Sequence, residues 1–327
     1  MATSGTTTWT LSGDEIVTQA FQRLGITGVE GDTITNANLE FGTTILNSIM
    51  KNWAVDTLHL FTRTEGVLFL DQDVNTYSLS NASTSAKACL LTDAIITTTN
   101  AAEAAAQTSI TVTSSTGMAT SDNVGIVLDT LDIHWSTISS VTDSTTIVIA
   151  DALPSAAADG NNVYTFTNRI TRPMRIFNMR RVTGTSADTN GTDELVLGHL
   201  SHERYFNITS KLEGGEPNSW YYDPQQTTGK LYLYPTPDDC SVYIRFTYDR
   251  PMEDFVTGTD NADLPVEWIE PLIMNLMAKI AITPAYQVDI QRAQFIYAEA
   301  EKLRQQVLGF DAEQMSVQFV PDLYNEN

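Results

Sequence analysis

Residues 220–255, WYYDPQQTTGKLYLYPTPDDCSVYIRFTYDRPMEDF, and residues 263–280, DLPVEWIEPLIMNLMAKI, decide how this chain folds. The first stretch alternates apolar and polar residues between turn residues, which predicts short β-strands. The second opens with Leu264-Pro265, and the missing N–H of proline is not needed in a first helical turn. Neither stretch holds a cluster of nucleophile, base and metal-ligating residues. Without such a cluster these stretches give no sign of catalysis, so we expect no enzyme.

Composition sets the class of protein. The 327 residues are 42% hydrophobic, which is enough for a packed core and argues against a disordered chain. The net charge of −22 argues against a protein that grips phosphate backbones, because that affinity comes from Lys and Arg. The same charge suits a wall past which DNA moves without sticking, or a soluble protein that its charge keeps from aggregating.

The cysteine usage and the lack of a targeting signal in the sequence predict an intracellular product. Cys89 and Cys240 are the only cysteines and lie far apart, so we expect both to be free. The N-terminal stretch MATSGTTTWTLSGDE has no basic and apolar regions of a signal peptide, and no apolar run is long enough to cross a membrane. We therefore expect synthesis in the cytoplasm and no membrane partner.

Helical patterns lie at both ends of the chain. Ser12 and Glu15 have capping-box spacing before a helix over 12–24, and a second helix is expected from about residue 35 to 55. The spacing near the C-terminus predicts a long helix over 285–308 with one broad apolar stripe, ended by Gly309.

The middle of the chain reads as β-structure, in two parts. Residues 81–168 are rich in Thr, Ser and Ala, and their short strands separated by turn residues suggest a small all-β module. The predicted class is α+β, with N- and C-terminal helices forming a helical bundle, a β-rich middle and an inserted small all-β domain. The expected segments are 1–80 (N-terminal helices and first strands), 81–168 (inserted β domain), 169–260 (β-rich core segment), 261–309 (C-terminal helices) and 310–327 (extended tail).

A run of arginines follows the proposed insertion. Five lie within thirteen residues, and their alternation with apolar residues predicts a strand: Arg169, Arg172, Arg175, Arg180 and Arg181. A nucleic-acid patch is one interpretation. Pairing with carboxylates, on neighbouring chains or within the fold, fits the acidic background better. We treat the five as candidate subunit contacts.

Candidates for chemistry are few. His199, His202 and Glu203 lack a further metal-ligating partner, and Asp71-x-Asp73-x-Asn75 lacks the Gly and Glu of a calcium loop, so we expect no metal and no cofactor. Paired carboxylates of a glycan hydrolase could come from Glu203, Glu213 and Glu216. Stacking on sugar rings could come from Trp220, Tyr221, Tyr222, Tyr232 and Tyr234. Because alternation places these rings on both faces of a sheet, core packing is the usual explanation.

The order of local motifs resembles the head-to-tail adaptor proteins of tailed phages, of the short-tailed type, across nearly the whole chain. The matching pieces are Arg172-Pro173 with Arg175-Ile176, Tyr205 with Lys211, Gly215-x-Pro217, Tyr222-Asp223-Pro224-Gln225, Gly229-Lys230-Leu231-Tyr232 with Tyr234-Pro235, Arg250-Pro251-Met252-Glu253-Asp254-Phe255, and Leu264-Pro265 with Trp268. No single piece is specific, and the evidence lies in their order and spacing.

The resemblance implies a structural virion protein at the head-tail junction, made in the host cytoplasm. It implies a homo-oligomeric ring, usually of twelve copies, docked under the portal protein. Such a ring extends the channel for double-stranded DNA, helps retain packaged DNA and seats the downstream nozzle or tube protein. The alternatives are a tail-associated β-rich protein that binds carbohydrate or host, and a cell-wall glycan hydrolase.

The tail after Gly309 is the candidate portal-docking element. Its apolar residues lack helical spacing, which suits an extended segment laid in a groove or, alternatively, packed on its own subunit. They are Phe310, Met315, Val317, Phe319, Val320, Leu323 and Tyr324.

Overall fold

The computed structural model describes residues 9–27, 34–56, 60–183 and 193–310. The chain divides into two compact units, one of Met1–Thr62 with Met252–Asn327 and the other of Arg63–Pro251. The architecture is α+β with a β-rich middle, as predicted. None of the helices in the described ranges is long and apolar enough to cross a membrane.

The described residues form five α-helices and fifteen strands. The helices are α1 (Gly13–Leu24), α2 (Asn36–Asp56), α3 (His202–Phe206), α4 (Ile269–Ala281) and α5 (Ile290–Phe310). The strands are β1 (Arg63–Phe69), β2 (Thr76–Leu79), β3 (Ala88–Leu90), β4 (Ile95–Thr98), β5 (Ser109–Thr111), β6 (Asn123–Val127), β7 (Ile133–Asp143), β8 (Thr146–Ile149), β9 (Asn162–Phe166), β10 (Arg175–Thr183), β11 (Asp193–Val196), β12 (Gly198–His199), β13 (Ser219–Asp223), β14 (Gly229–Tyr234) and β15 (Val242–Asp249).

Helix α1 begins and ends as the sequence predicts. The Ser12 hydroxyl accepts a hydrogen bond from the Glu15 backbone N–H at 3.4 Å, and Glu15 Oε2 accepts one from the Ser12 N–H at 2.9 Å. These bonds satisfy two N–H groups that a helix start otherwise leaves unpaired. Gly25 ends the helix with φ +74°, a left-handed conformation in which glycine avoids a Cβ clash.

Helices α1, α2, α4 and α5 share one hydrophobic core. Trp53 of α2 and Trp268, just before α4, bring their ring centroids to 5.4 Å in this core. The approach of α1 to α2 depends on Gly42, where a Cβ would lie 2.3 Å from Val17 Cγ1. Each helix therefore buries its apolar face on the others, which supplies the stability that isolated helices lack.

Helix α5 differs from its predicted bounds at both ends. It begins at Ile290 instead of residue 285, because Pro284–Tyr286 form a 3₁₀ turn and Gln287 takes a left-handed φ of 49°. Asp289 then caps the helix by accepting from the N–H groups of Gln291 and Arg292. At the other end the helix passes through Gly309 to Phe310, so the prediction that Gly309 stops it is wrong.

A five-stranded sheet, ordered β11-β10-β15-β1-β3, runs through the centre of the Arg63–Pro251 unit. Strand β1 buries Leu68 on one face and Val67 with Phe69 on the other. Strand β15 alternates in the same way, with Ile244 on the first face and Tyr243 on the second. Both faces are covered, which explains why VYIRFTYD shows little polar alternation.

The other two sheets cover those two faces. A four-stranded sheet, ordered β12-β13-β14-β2, joins the core that contains Leu68 and Ile244. A six-stranded sheet, ordered β4-β9-β6-β7-β8-β5, encloses a core of its own and also contributes Tyr164 and Phe166 to the core around Phe69. The Phe69 ring stacks on Tyr164 with centroids 4.5 Å apart. The six-stranded sheet therefore packs through aromatic side chains onto the central one.

The segment 81–168 contributes to two of the three sheets. It supplies every strand of the six-stranded sheet, from Ile95 to Phe166. It also contains β3, which pairs with β1 in the central sheet. Both cysteines are free and buried.

Candidate functional site

One of the candidate arginines, Arg180, is part of an ion-pair network within the chain. Arg180 on β10 lies directly across from Arg245 on β15. Glu65 accepts from Arg180 Nη2 at 2.7 Å and from Arg245 Nη2 at 2.8 Å. Glu194 accepts from Arg180 Nη1 at 3.1 Å and from Arg245 Nη1 at 2.8 Å. One residue from each of four neighbouring strands thus forms a closed network of two arginines and two glutamates, called here the arginine–glutamate network.

Burial makes this network more than a surface ion pair. The Arg245 side chain is 2% exposed, whereas those of Glu65 and Glu194 are 37% and 25% exposed. Burial acts to raise the pKa of Glu65, but the hydrogen bonds from Arg245 and Arg180 outweigh it and hold that pKa below its usual value. The network ties β11, β10, β15 and β1 together and leaves Arg180 little capacity for an outside partner.

The other candidate arginines differ from one another. Arg181 pairs with Glu216 at 2.6 Å. Arg169 donates to the backbone carbonyls of Ala86 and Thr84 and to Asn123 Oδ1, so it holds neighbouring loops in place.

Arg175 is the exposed member of the run and lies at the start of β10. Arg172 is half-buried and near Tyr222, whose pKa is raised mainly by burial and held back by Arg172.

The aromatic residues of β13 and β14 lie on both faces of their sheet, as alternation predicts. Trp220 and Tyr222 are buried in the core beneath. Tyr221 and Tyr232, which are direct cross-strand partners, stack on the opposite face with centroids 5.7 Å apart. Helix α3 covers that face with Tyr205, whose ring lies 5.0 Å from Tyr232. Most of the cluster is therefore packing.

The candidates for metal binding or hydrolysis make structural contacts. The ring of His199 lies 4.5 Å from that of Trp220, and the ring of His202 lies 4.5 Å from that of Phe206. Glu213 Oε2 accepts from the Tyr234 hydroxyl at 3.0 Å. Across the described residues, no group of three or more His, Cys, Asp or Glu side chains is placed to hold a metal ion.

Exposed apolar side chains collect in the helical unit. Ala293, Ile296 and Ala300 of α5 are buried, whereas Ile290 and Phe295 are 71% and 70% exposed. The predicted stripe on this helix is thus only partly buried. Ile290 and Phe295, five positions apart, lie about 140° apart around the helix, at the two edges of its solvent-exposed side. We call this exposed side of α5, with Ile290 and Phe295 at its edges, the α5 outer face.

A groove of ≈ 670 Å³ opens between α2, α4 and α5 in the same unit. Trp53 and Tyr297 supply aromatic surface to it, and Lys279 and Arg304 supply positive charge. The predicted portal-docking residues beyond Phe310 lie outside the described residues, as does the side chain of Phe310 itself.

Sequence reasoning missed the carboxylates that engage the arginines. Glu65 and Glu194 lie 115 and 14 residues from Arg180 along the chain, and only strand pairing brings them together. One signal was present: Arg245 stands in the middle of the apolar strand VYIRFTYD, and a charged residue at a buried strand position requires partners.

Comparison with known proteins gives one family. A family model described as SU10 adaptor protein matches residues 32–319. None of the curated proteins compared with the chain matches it.

Proposed function

The chain belongs to the SU10 adaptor protein family, and from that premise we propose that it forms a head-to-tail adaptor ring in a phage virion. The match over residues 32–319 carries this proposal, because it spans helices and strands of both compact units. The coarse part of the resemblance, a structural phage adaptor, agrees with the family. The short-tailed type and the details below are proposals.

In the proposed assembly, about twelve copies close into a ring through head-to-tail contacts, in which two different patches meet at every joint. The α5 outer face is a source of such a patch, because large apolar side chains at that exposure gain from being covered. Arg172 and Arg175 supply the charged part of the contact. The net charge of −22 suits a channel wall that does not retain DNA electrostatically.

The ring is proposed to dock under the portal protein, extend the DNA channel, help retain packaged DNA and seat the next tail protein. The helices act as a bundle at this junction, and the six-stranded sheet acts as an inserted domain that decorates the ring. The tail after Phe310 lies in a groove of the portal, where Val317 and Phe319 bury apolar surface. Burial of each such side chain is worth about 1.5–3 kcal/mol before ordering costs.

Assembly on the cognate portal tests the proposal. Native mass spectrometry of the mixture should show about twelve adaptor chains per portal ring, and electron microscopy should place them at one end of it. The variant Phe295→Ser should fold and lose ring closure, because Phe295 is exposed in the free chain. Leu212→Ser is the matched control, since Leu212 is 79% exposed in the other unit and should leave assembly unchanged.

A truncation after Phe310 separates docking from folding. It keeps all of α5, so the melting temperature of the free chain should stay the same while portal docking is lost. A lower melting temperature together with normal docking of Phe319→Ala would assign the tail to packing on its own subunit. A stable trimer, or no portal binding by the full chain, would overturn the adaptor proposal.

The two alternative functions find little support in the described residues. Trp220 and Tyr222, which carbohydrate binding would use, are buried. Glu216, which hydrolysis would use, is engaged by Arg181.

A further inference from the structure

A small pocket of ≈ 220 Å³ opens at one face of the six-stranded sheet, within the Arg63–Pro251 unit. The rings of Trp135 and Phe166 line it, and Lys87 and Arg169 bring two positive charges to it. Asn123 and hydroxyl side chains add further polar groups. The pocket has the size of a small organic molecule and is separate from the arginine–glutamate network.

The two cations stand out against their surroundings. Residues 81–168 contain eight acidic residues, and Lys87 is their only Lys or Arg. Arg169 follows directly. Burial lowers the pKa of Lys87 to about 8; the charge of Asp71 opposes this shift, and repulsion from Arg169 adds to it. Because like charges repel, two cations placed together in an acidic chain indicate a role for the pair.

Within the part of the chain that the structure describes, no carboxylate contacts either cation directly. Among the described residues, Arg169 donates only to the carbonyls of Ala86 and Thr84 and to Asn123 Oδ1. Lys87 Nζ lies 4.2 Å from the centroid of the Trp135 ring, a cation–π contact that leaves its N–H groups free to donate elsewhere. Both positions favour an incoming anion.

The nearest acidic groups shape the choice of anion. Asp71 Oδ1 accepts from Trp135 Nε1 at 2.9 Å, so this carboxylate is engaged by the indole edge. Asp151 lines the pocket and accepts from the Ser136 hydroxyl at 3.2 Å. Its negative charge opposes a doubly charged phosphate more strongly than a singly charged carboxylate.

We propose that Lys87 and Arg169 form a binding site for the carboxylate of a small organic acid. Lys87 Nζ and the Arg169 guanidinium would hold the carboxylate, and the Trp135 and Phe166 rings would contact the apolar part of the ligand. The carboxylate belongs either to a simple acid or to an acidic sugar. Both present the same carboxylate to the two cations, but they differ in the apolar surface that they present to the Trp135 and Phe166 rings. The site is independent of the adaptor function, because a single chain contains all of it.

Titration of the free chain tests the site. Acetate and glucuronate are the probes, read by the indole ¹H–¹⁵N signal of Trp135, which Trp135→Phe assigns. Saturable shifts of that signal are expected, with glucuronate tighter than acetate if the source is a sugar acid and equal if it is a simple acid. Inorganic phosphate should bind more weakly than either. Tighter binding of phosphate, or no saturable shift with any probe, would overturn the proposal.

Substitutions test whether Lys87 contributes to binding of the carboxylate. Lys87→Gln should weaken binding roughly tenfold or more, which is the value of one charged hydrogen bond. Lys230→Gln is the matched control, because it removes one lysine of the same unit whose Nζ donates to Ser78 Oγ at 2.8 Å. Equal losses in the two variants, or none in Lys87→Gln, would overturn the assignment.

The pH dependence gives a readout that needs no variant. The charged groups around Lys87 are Asp71 after β1, Asp151 after β8 and Arg169 after β9, and the His134 ring contacts the Asp151 carbonyl. Affinity should fall as the pH rises through about 8, where Lys87 loses its proton. Bound glucuronate should raise the pKa of Lys87, measured from its ¹³Cε shift. An unchanged pKa at saturation would contradict the contact.

Discussion

Replacing Arg245 with methionine tests whether the arginine–glutamate network holds the central sheet together. The change removes a guanidinium that is 2% exposed and that donates to Glu65 and Glu194 at 2.8 Å each. Breaking a fully buried pair costs about 3–5 kcal/mol, because a charge is left without compensation. Here Arg180 stays in contact with both carboxylates and water reaches them, so we expect roughly 2–3 kcal/mol.

Hydrogen exchange is the local assay for this loss. A cost of 2–3 kcal/mol corresponds to roughly 30- to 150-fold faster exchange of amides that open with the sheet. Mass spectrometry of peptides from β10 and β15 should show this acceleration, while peptides from α1 and α4 stay unchanged. A urea titration followed by circular dichroism gives the free energy of unfolding independently.

The matched control is Arg175→Met, on the same strand as Arg180 but exposed. It should change the free energy of unfolding by no more than about 0.5 kcal/mol. Equal effects of Arg175→Met and Arg245→Met, or a loss below about 1 kcal/mol for the latter, would refute the reasoning.

The pH dependence of the free energy of unfolding gives a second test of the same network. The pKa of Glu65 lies below its ordinary value of 4.5 in the folded chain. The stabilisation it supplies is therefore fully present above that ordinary value and is lost as the pH falls through the folded pKa. Glu65→Gln should remove this part of the acid dependence, and an unchanged slope below pH 4.5 would exclude Glu65 as its source.

Two packing changes complete the predictions. Gly42→Ala should lose about 1–3 kcal/mol of stability because the new Cβ would lie 2.3 Å from Val17 Cγ1, whereas Gly309→Ala, with no atom within 4 Å, should be neutral or stabilising. Thermal melts compare the two variants, and equal melting temperatures would contradict the close approach of α1 to α2. Phe69→Ala should cost about 3–5 kcal/mol and speed exchange in β9, because Phe69 is fully buried against Tyr164 of that strand; unaltered exchange there would mean that the six-stranded sheet does not depend on this contact.

Local signals in the sequence predicted the elements well. The capping box of Ser12 with Glu15 predicted the start of α1, and alternation predicted short strands in residues 220–255, where β13, β14 and β15 lie. Short strands such as β11 and β12 were not predicted, because so few residues are too short a run to show the alternation of a strand. The start of α5 was missed because the left-handed Gln287 depends on the turn before it.

The pairing of strands that lie far apart in the chain could not be predicted from the sequence. The run of arginines predicted charged contacts, but whether they lie within the chain or between chains depends on which strands pair. Strand β10 joins β15 and β11, which brings Arg180 to Glu65 and Glu194. The pocket of Lys87 and Arg169 arises in the same way, since its residues come from segments on several strands.

The distribution of positive charge bears on where this adaptor meets its partners. A run of five arginines looks like an interaction surface in the sequence, yet Arg180 and Arg181 are engaged by glutamates of the same chain. Taking such charges from their partners to bind another protein would leave those glutamates without compensation. Contacts that form with little loss therefore come from groups that are exposed in the free chain. The α5 outer face meets that condition, which makes apolar contact with a polar rim the expected character of the joints in the proposed ring.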